Sequence, residues 1–160
     1  MKRSLKIATL STLVLAAGTT VYAQMKPEDA IRARQSIMRV VALNFGPVAA
    51  MAQDKMPFNK EAFVANATRL ESVWAMDASR FFTAGTDKPV SGSKVAGFTD
   101  VKPEIWNNPA KFKEAFDDNT AAIAKLAAAA RSGDEAAMKA AAGGVGKACK
   151  GCHDDFRVKG

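Results

Sequence analysis

From Ile31 to Val48 the chain returns to one face every three or four residues, at Ile31, Arg34, Met38, Val41, Phe45 and Val48. That spacing draws a single inward stripe along a helix. The stretch opens at Pro27, a favoured first helical position, with Glu28 and Asp29 at the positive end of the helix dipole. Gly46-Pro47 is expected to kink or interrupt it, and the pattern is spent near Gln53. Asn59 can cap a second helix carrying Phe63, Leu70, Val73, Trp74 and Phe81. Pro103 and Pro109 start a third stretch, in which Ile105, Trp106, Phe112, Phe116, Ile123 and Leu126 point inward. Ser132 with Glu135 forms a capping box for a fourth, which runs from about Asp134 towards the C-terminus. Ala, Lys, Glu and Met are abundant and β-branched runs are few, which agrees with helix throughout. The fold class predicted is all-α, an antiparallel four-helix bundle. Residues 83–102, rich in Gly, Ser, Thr and Lys, are long for a loop in a compact domain and read as a surface element, a functional cover or a docking element.

The N-terminus reads as a separate segment. Lys2, Arg3 and Lys6 precede an apolar run, Ile7 to Ala17, that is about half the ~20 residues a membrane span needs. Val21-Tyr22-Ala23 supplies the small residues of a cleavage site, so residues 1–23 are read as a signal peptide cut before Gln24. No twin arginine and no cysteine near the cut point to a different export route or a lipid anchor. The expected product, residues 24–160, is one exported domain that is not membrane-embedded, placed in the periplasm. The formal charge of +7 includes the three basic residues of the leader. The excess that is left is mild and spread along the chain, with no basic stripe interleaved with aromatics, so nucleic acid is not an expected partner.

Both cysteines and the only histidine fall in five consecutive positions, Cys149 to His153, within ACKGCHDDFR. A structural zinc site needs a fourth ligand, and no further Cys or His exists to supply it. A redox thiol pair normally sits at a helix N-terminus, where the dipole lowers the thiolate pKa, whereas this pair lies late in a helix. Covalent haem attachment uses C-x-x-C-H as its signature. At 3.6 residues per turn Cys149, Cys152 and His153 share one helix face, with His153 one turn beyond Cys149. Two thiols then reach the haem vinyl groups while the imidazole reaches the iron. The expectation is one haem c per chain, bonded to Cys149 and Cys152, with His153 as proximal iron ligand.

With no second histidine, and Tyr22 lost with the leader, a methionine, a lysine or an empty position is left for the other side of the iron. Of Met25, Met38, Met51, Met56, Met76 and Met138, Met38 alone sits mid-helix on the inward stripe with Arg34 one turn away. Met38 is either core filling or the distal ligand. Arg34 is either a partner for the haem propionates or a residue at the stripe's margin. Arg157, four residues after His153, either covers the proximal face or is a helix C-terminal cation. Phe156 is read as a core residue or haem-edge contact. Gly143, Gly144 and Gly146 either give the haem edge room or break the helix locally.

A C-terminal CxxCH on the last helix of a four-helix bundle resembles the class II c-type cytochromes, the cytochrome c′ family. The resemblance covers the whole mature chain and rests on KPEDAIRARQSIM, KPEIWNNPAKF and VGKACKGCHDDFR. In that family the residue at the position of Met38 faces the distal side of the haem. Cytochromes c′ proper carry a non-ligating apolar residue there and bind small gases at five-coordinate iron. A low-spin branch, of the cytochrome c-556 type, carries a ligating methionine, and RARQSIM is similar to that branch. The resemblance implies Met38 as sixth ligand, Arg34 and Gln35 near the propionates, Arg157 on the proximal face, and a homodimer through the first two helices. The function expected is single-electron transfer through His/Met haem c to periplasmic or membrane redox proteins, not enzymatic turnover. The alternative is a five-coordinate protein that binds NO or CO.

Overall fold

The computed structural model describes residues 25–88 and 99–158. The expected signal peptide with its expected cleavage site, and the middle of the long loop, lie outside them. Four long helices form the bundle: α1 (Pro27–Ala52), α2 (Lys60–Trp74), α4 (Pro109–Ser132) and α5 (Glu135–Phe156). A single turn, α3 (Glu104–Asn107), precedes α4. Packing runs in a ring, with α1 against α2 and α5, and α4 against α2 and α5. The short connections at 53–59 and 133–134 make α1/α2 and α4/α5 antiparallel neighbours. The expected all-α four-helix bundle is the fold observed.

Local chemistry explains most boundaries. Asn59 caps α2 by accepting from the Ala62 amide at 2.9 Å. Asn108 caps α4 in the same way through the Lys111 amide, and this cap divides the expected third stretch into α3 and α4. Gly133, at φ 74°, adopts the left-handed conformation that ends α4. The cap of α5 is Asp134, whose side chain accepts from Ala137, instead of the expected Ser132–Glu135 box. Ser132 is the last residue of α4 and donates back to the Ala129 carbonyl, while Glu135 pairs with Lys139. Of the kink or interruption expected at Gly46-Pro47, the interruption is absent, since α1 continues through it; α5 likewise continues through Gly143, Gly144 and Gly146, which removes the local helix break as their explanation. Conversely, α2 stops at Trp74, before Phe81, where Asp77 turns left-handed at φ 51° and a 3₁₀ turn follows at 78–81.

The main core joins all four long helices around Val48, Met51, Phe63, Leu70, Leu126, Met138 and Val145, each fully buried. A second, smaller cluster of Val101, Ile105 and Phe156 lies where the end of the long loop and α3 meet the end of α5. There Lys102 N donates to Phe156 O at 2.9 Å and Val158 N to Asp100 O at 2.7 Å, a two-residue bridge in place of a sheet.

Candidate haem site

Cys149 and Cys152 lie in the last two turns of α5, half-buried, at the seam between the two apolar clusters: Cys149 packs on the main core and Cys152 on the smaller one. Between the clusters is a cavity of about 470 Å³. Its wall includes both thiols, His153, Met38, Val41, Phe45, Trp74, Phe82, Phe112, Phe116 and Phe156, with Arg34, Gln35, Asp100, Asn119 and Arg157 as its polar members. A cavity of this size, mostly apolar with a few polar groups, has the character of a cofactor site.

The electrostatics argue against thiol redox chemistry. Burial pushes the Cys149 thiol up, and burial, Cys149 and Asp155 together push Cys152 up to about 11. Both are protonated at neutral pH, the reverse of an activated thiolate at a helix N-terminus. His153 is exposed to the open cavity in front of it, yet enough protein surrounds it for desolvation, with Arg157 second, to lower its pKa. A neutral imidazole keeps the lone pair that a metal requires. No group of three or more His, Cys, Asp or Glu side chains placed to hold a metal ion occurs among the described residues. The donor set is therefore two thiols and one imidazole on one helix face, opening on apolar walls, which fits haem c.

The remaining sequence candidates reach the same cavity by different routes. Met38 is half-buried on the α1 wall, and of the methionines considered it alone lines the cavity. Met51 and Met138 are buried in the core; Met25, Met56 and Met76 are exposed. Arg34 is only 4 % exposed, so it is no margin residue. Its guanidinium donates to Thr86 Oγ1, to the Thr86 carbonyl and to Thr99 Oγ1, and lies 5.6 Å from the centre of the Phe82 ring. Arg34 thus fastens both ends of the long loop to α1. Gln35 lines the cavity beside it. Arg157 lies one residue past α5 with extended backbone, so it does not project from the helix face as its spacing suggested. It pairs with Asp100 and still borders the cavity. A Cβ at Gly146 would sit 3.8 Å from Phe45, an ordinary contact with the protein's own atoms.

Among the site residues that the sequence did not single out are Thr86, Thr99, Asp100, Phe82 and Asn119. Thr86 and Thr99 hold Arg34, and no local pattern marks them. Asn119 was legible: it continues the Phe112, Phe116, Ile123, Leu126 stripe at spacings of three and four, and it is 3 % exposed.

Comparison with known proteins agrees with this construction. A family model described as Cytochrome C′ matches residues 29–157. Cytochrome c′ of Rubrivivax gelatinosus is 43% identical over 84% of this chain and 98% of its own. Its crystal structure superposes with a TM-score of 0.74 over 83% of this chain and 98% of that one. A nitric oxide complex of a single-residue mutant of the Alcaligenes xylosoxidans cytochrome c prime, 35% identical, gives a TM-score of 0.71 over 84% of this chain and 98% of that one. These names do not support the narrower placement in the low-spin branch. The cofactor is haem c, covalently attached, and Cys149 and Cys152 fit its CxxCH attachment motif. A bundle with its haem motif on the last helix, matched over residues 29–157 by the Cytochrome C′ family model and over more than four fifths of its length by proteins named cytochrome c′, places this chain in the cytochrome c′ family.

Proposed function

We propose that this protein is an exported, periplasmic haem c protein that binds a small neutral gas, NO or CO, at the iron face opposite His153. In this reading His153 is the proximal ligand, and Met38 is a bulky distal wall that does not ligate. The haem supplies an iron with one open coordination position; the chain supplies an apolar cavity that suits an uncharged diatomic. The observation that carries the reading is the likeness, over 84% of this chain, to a relative of which a single-residue mutant forms a nitric oxide complex. Arg34 and Gln35 are assigned to the propionate side and Arg157 to the proximal face, on the support that all three border the cavity.

One observation favours a second reading. Met38 is the one methionine of the cavity wall, so a His/Met electron carrier serving periplasmic or membrane redox proteins is the competing function. Absorption spectra of the periplasmically expressed protein, oxidised and reduced, before and after CO, separate the two. The proposal expects a broad high-spin spectrum that shifts with CO. Sharp low-spin bands that ignore CO, and respond to it only in Met38→Ala, would overturn it in favour of electron transfer. The homodimer through α1 and α2 belongs to the same proposal; Val40 and Leu43, the latter 69 % exposed, are apolar residues on α1 that the monomer leaves uncovered. Sedimentation of wild type and Leu43→Glu tests it, with a monomeric wild type as the negative result.

A further inference from the structure

Among the described residues Asn119 Oδ1 is the buried side-chain polar atom that has no hydrogen-bond partner. Its amide cannot be turned round to relieve this. Nδ2 donates to the Ala115 carbonyl at 2.8 Å within α4 and to the Ala148 carbonyl at 3.3 Å on α5, the residue before Cys149. A flipped amide would set Oδ1 against two carbonyl oxygens. The positive end of this dipole is therefore fixed on the backbone, and the negative end is left uncompensated in a residue that lines the haem cavity. An unpaired buried acceptor opposes folding, so a chain that carries one invites a functional account.

We infer that Asn119, a residue of the cavity wall, sets the reduction potential of the haem through the negative end of an amide dipole buried beside the cavity. The ferric haem carries one more positive charge than the ferrous, and a partial negative charge at low dielectric favours the ferric form. Asn119 is a positioning residue as well, because the same amide ties α4 to the backbone that carries the haem motif. The inference needs haem c in the cavity but no particular sixth ligand, so it stands or falls separately from gas binding.

The test is redox titration of the haem-loaded protein and three variants at pH 9, where an introduced carboxyl is ionised. Asn119→Leu removes the dipole and should raise the potential. At fixed ambient potential the ferrous-to-ferric ratio should rise about fivefold, about 40 mV at 59 mV per factor of ten for one electron. Asn119→Asp loses the same Nδ2 bonds but adds negative charge, and should lower the potential. Asn44→Leu is the control: Asn44 is buried and bonds the Val40 carbonyl, but does not line the cavity, and it should leave the potential in place. Movement of both Asn119 variants in one direction would assign the effect to the lost helix tie and overturn the inference. So would an Asn119→Leu shift no larger than that of Asn44→Leu, the result expected if a water already compensates Oδ1. The Leu pair decides the matter if the carboxylate variant does not assemble.

Discussion

The two ends of this bundle solve the same packing problem differently. Around Met51, Phe63, Leu70, Leu126 and Met138 the four helices meet on their own side chains, and nothing further is needed to exclude water. Around His153 the helices carry aromatics on their facing surfaces, Trp74 and Phe116 stacked at 4.7 Å and Phe112 edge-on to Phe156 at 5.3 Å, yet these rings border a cavity instead of filling it. The closed end is a core completed by the chain. The open end is a core completed by the cofactor, bridged by the segment 99–102. Stability in the first should be independent of haem; in the second it should not.

Removing the cofactor is the strongest way to break this contrast. Cys149→Ser combined with Cys152→Ser should abolish covalent haem, read as complete extraction of haem into acid acetone. In the same variant, hydrogen exchange should accelerate at 99–107 and 150–157 while the amides around Phe63 and Leu126 keep their protection. Uniform loss of protection would mean that the two ends are one cooperative unit. Next in size, Leu126→Ala in the closed end should cost about 2–5 kcal/mol, equally with and without haem, by urea unfolding. Phe112→Ala, on the half-buried cavity wall, should cost about 1–2 kcal/mol with haem and less without, because its ring has fewer partners in the empty cavity. Equal costs in both states would sink the idea that the cofactor completes this core.

How much of this was readable before the structure depended on how local each feature is. The haem motif lies within one helical turn, so spacing alone places its three side chains together. The α1 stripe was readable but too narrow. The buried positions are Ala30, Ile31, Arg34, Ile37, Val41, Asn44, Val48 and Met51, while Met38 and Phe45 turn towards the cavity. A helix that faces both a core and a cofactor carries two adjacent stripes, and a single-stripe reading merges them. Of the kink or interruption expected at Gly46-Pro47, the helix shows no interruption, because packing of α1 against α2 and α5 outweighs one missing backbone bond. The Arg34–Thr86–Thr99 contacts and the bridge of Val101 to Arg157 join residues more than fifty positions apart, and no periodicity encodes such pairings.

The smallest expected effect bears on the segment 99–102, which links the α1 side of the cavity to the α5 side. Thr99 meets Arg34, Asp100 meets Arg157, and Lys102 Nζ donates to the carbonyls of Asp154 and Asp155 at the end of α5, where a cation is favoured by the dipole. The Asp100 and Arg157 side chains are both in contact with water, so their pairing is worth about 0.2–1 kcal/mol. Asp100→Asn should therefore lower the unfolding free energy of the haem-loaded protein by less than about 1 kcal/mol at low salt. The difference should vanish near 1 M salt, where the Debye length is about 3 Å. A salt-independent loss of more than about 2 kcal/mol would place the closure of the open end in this segment and not in the cofactor, and the contrast between the two ends would have to be redrawn.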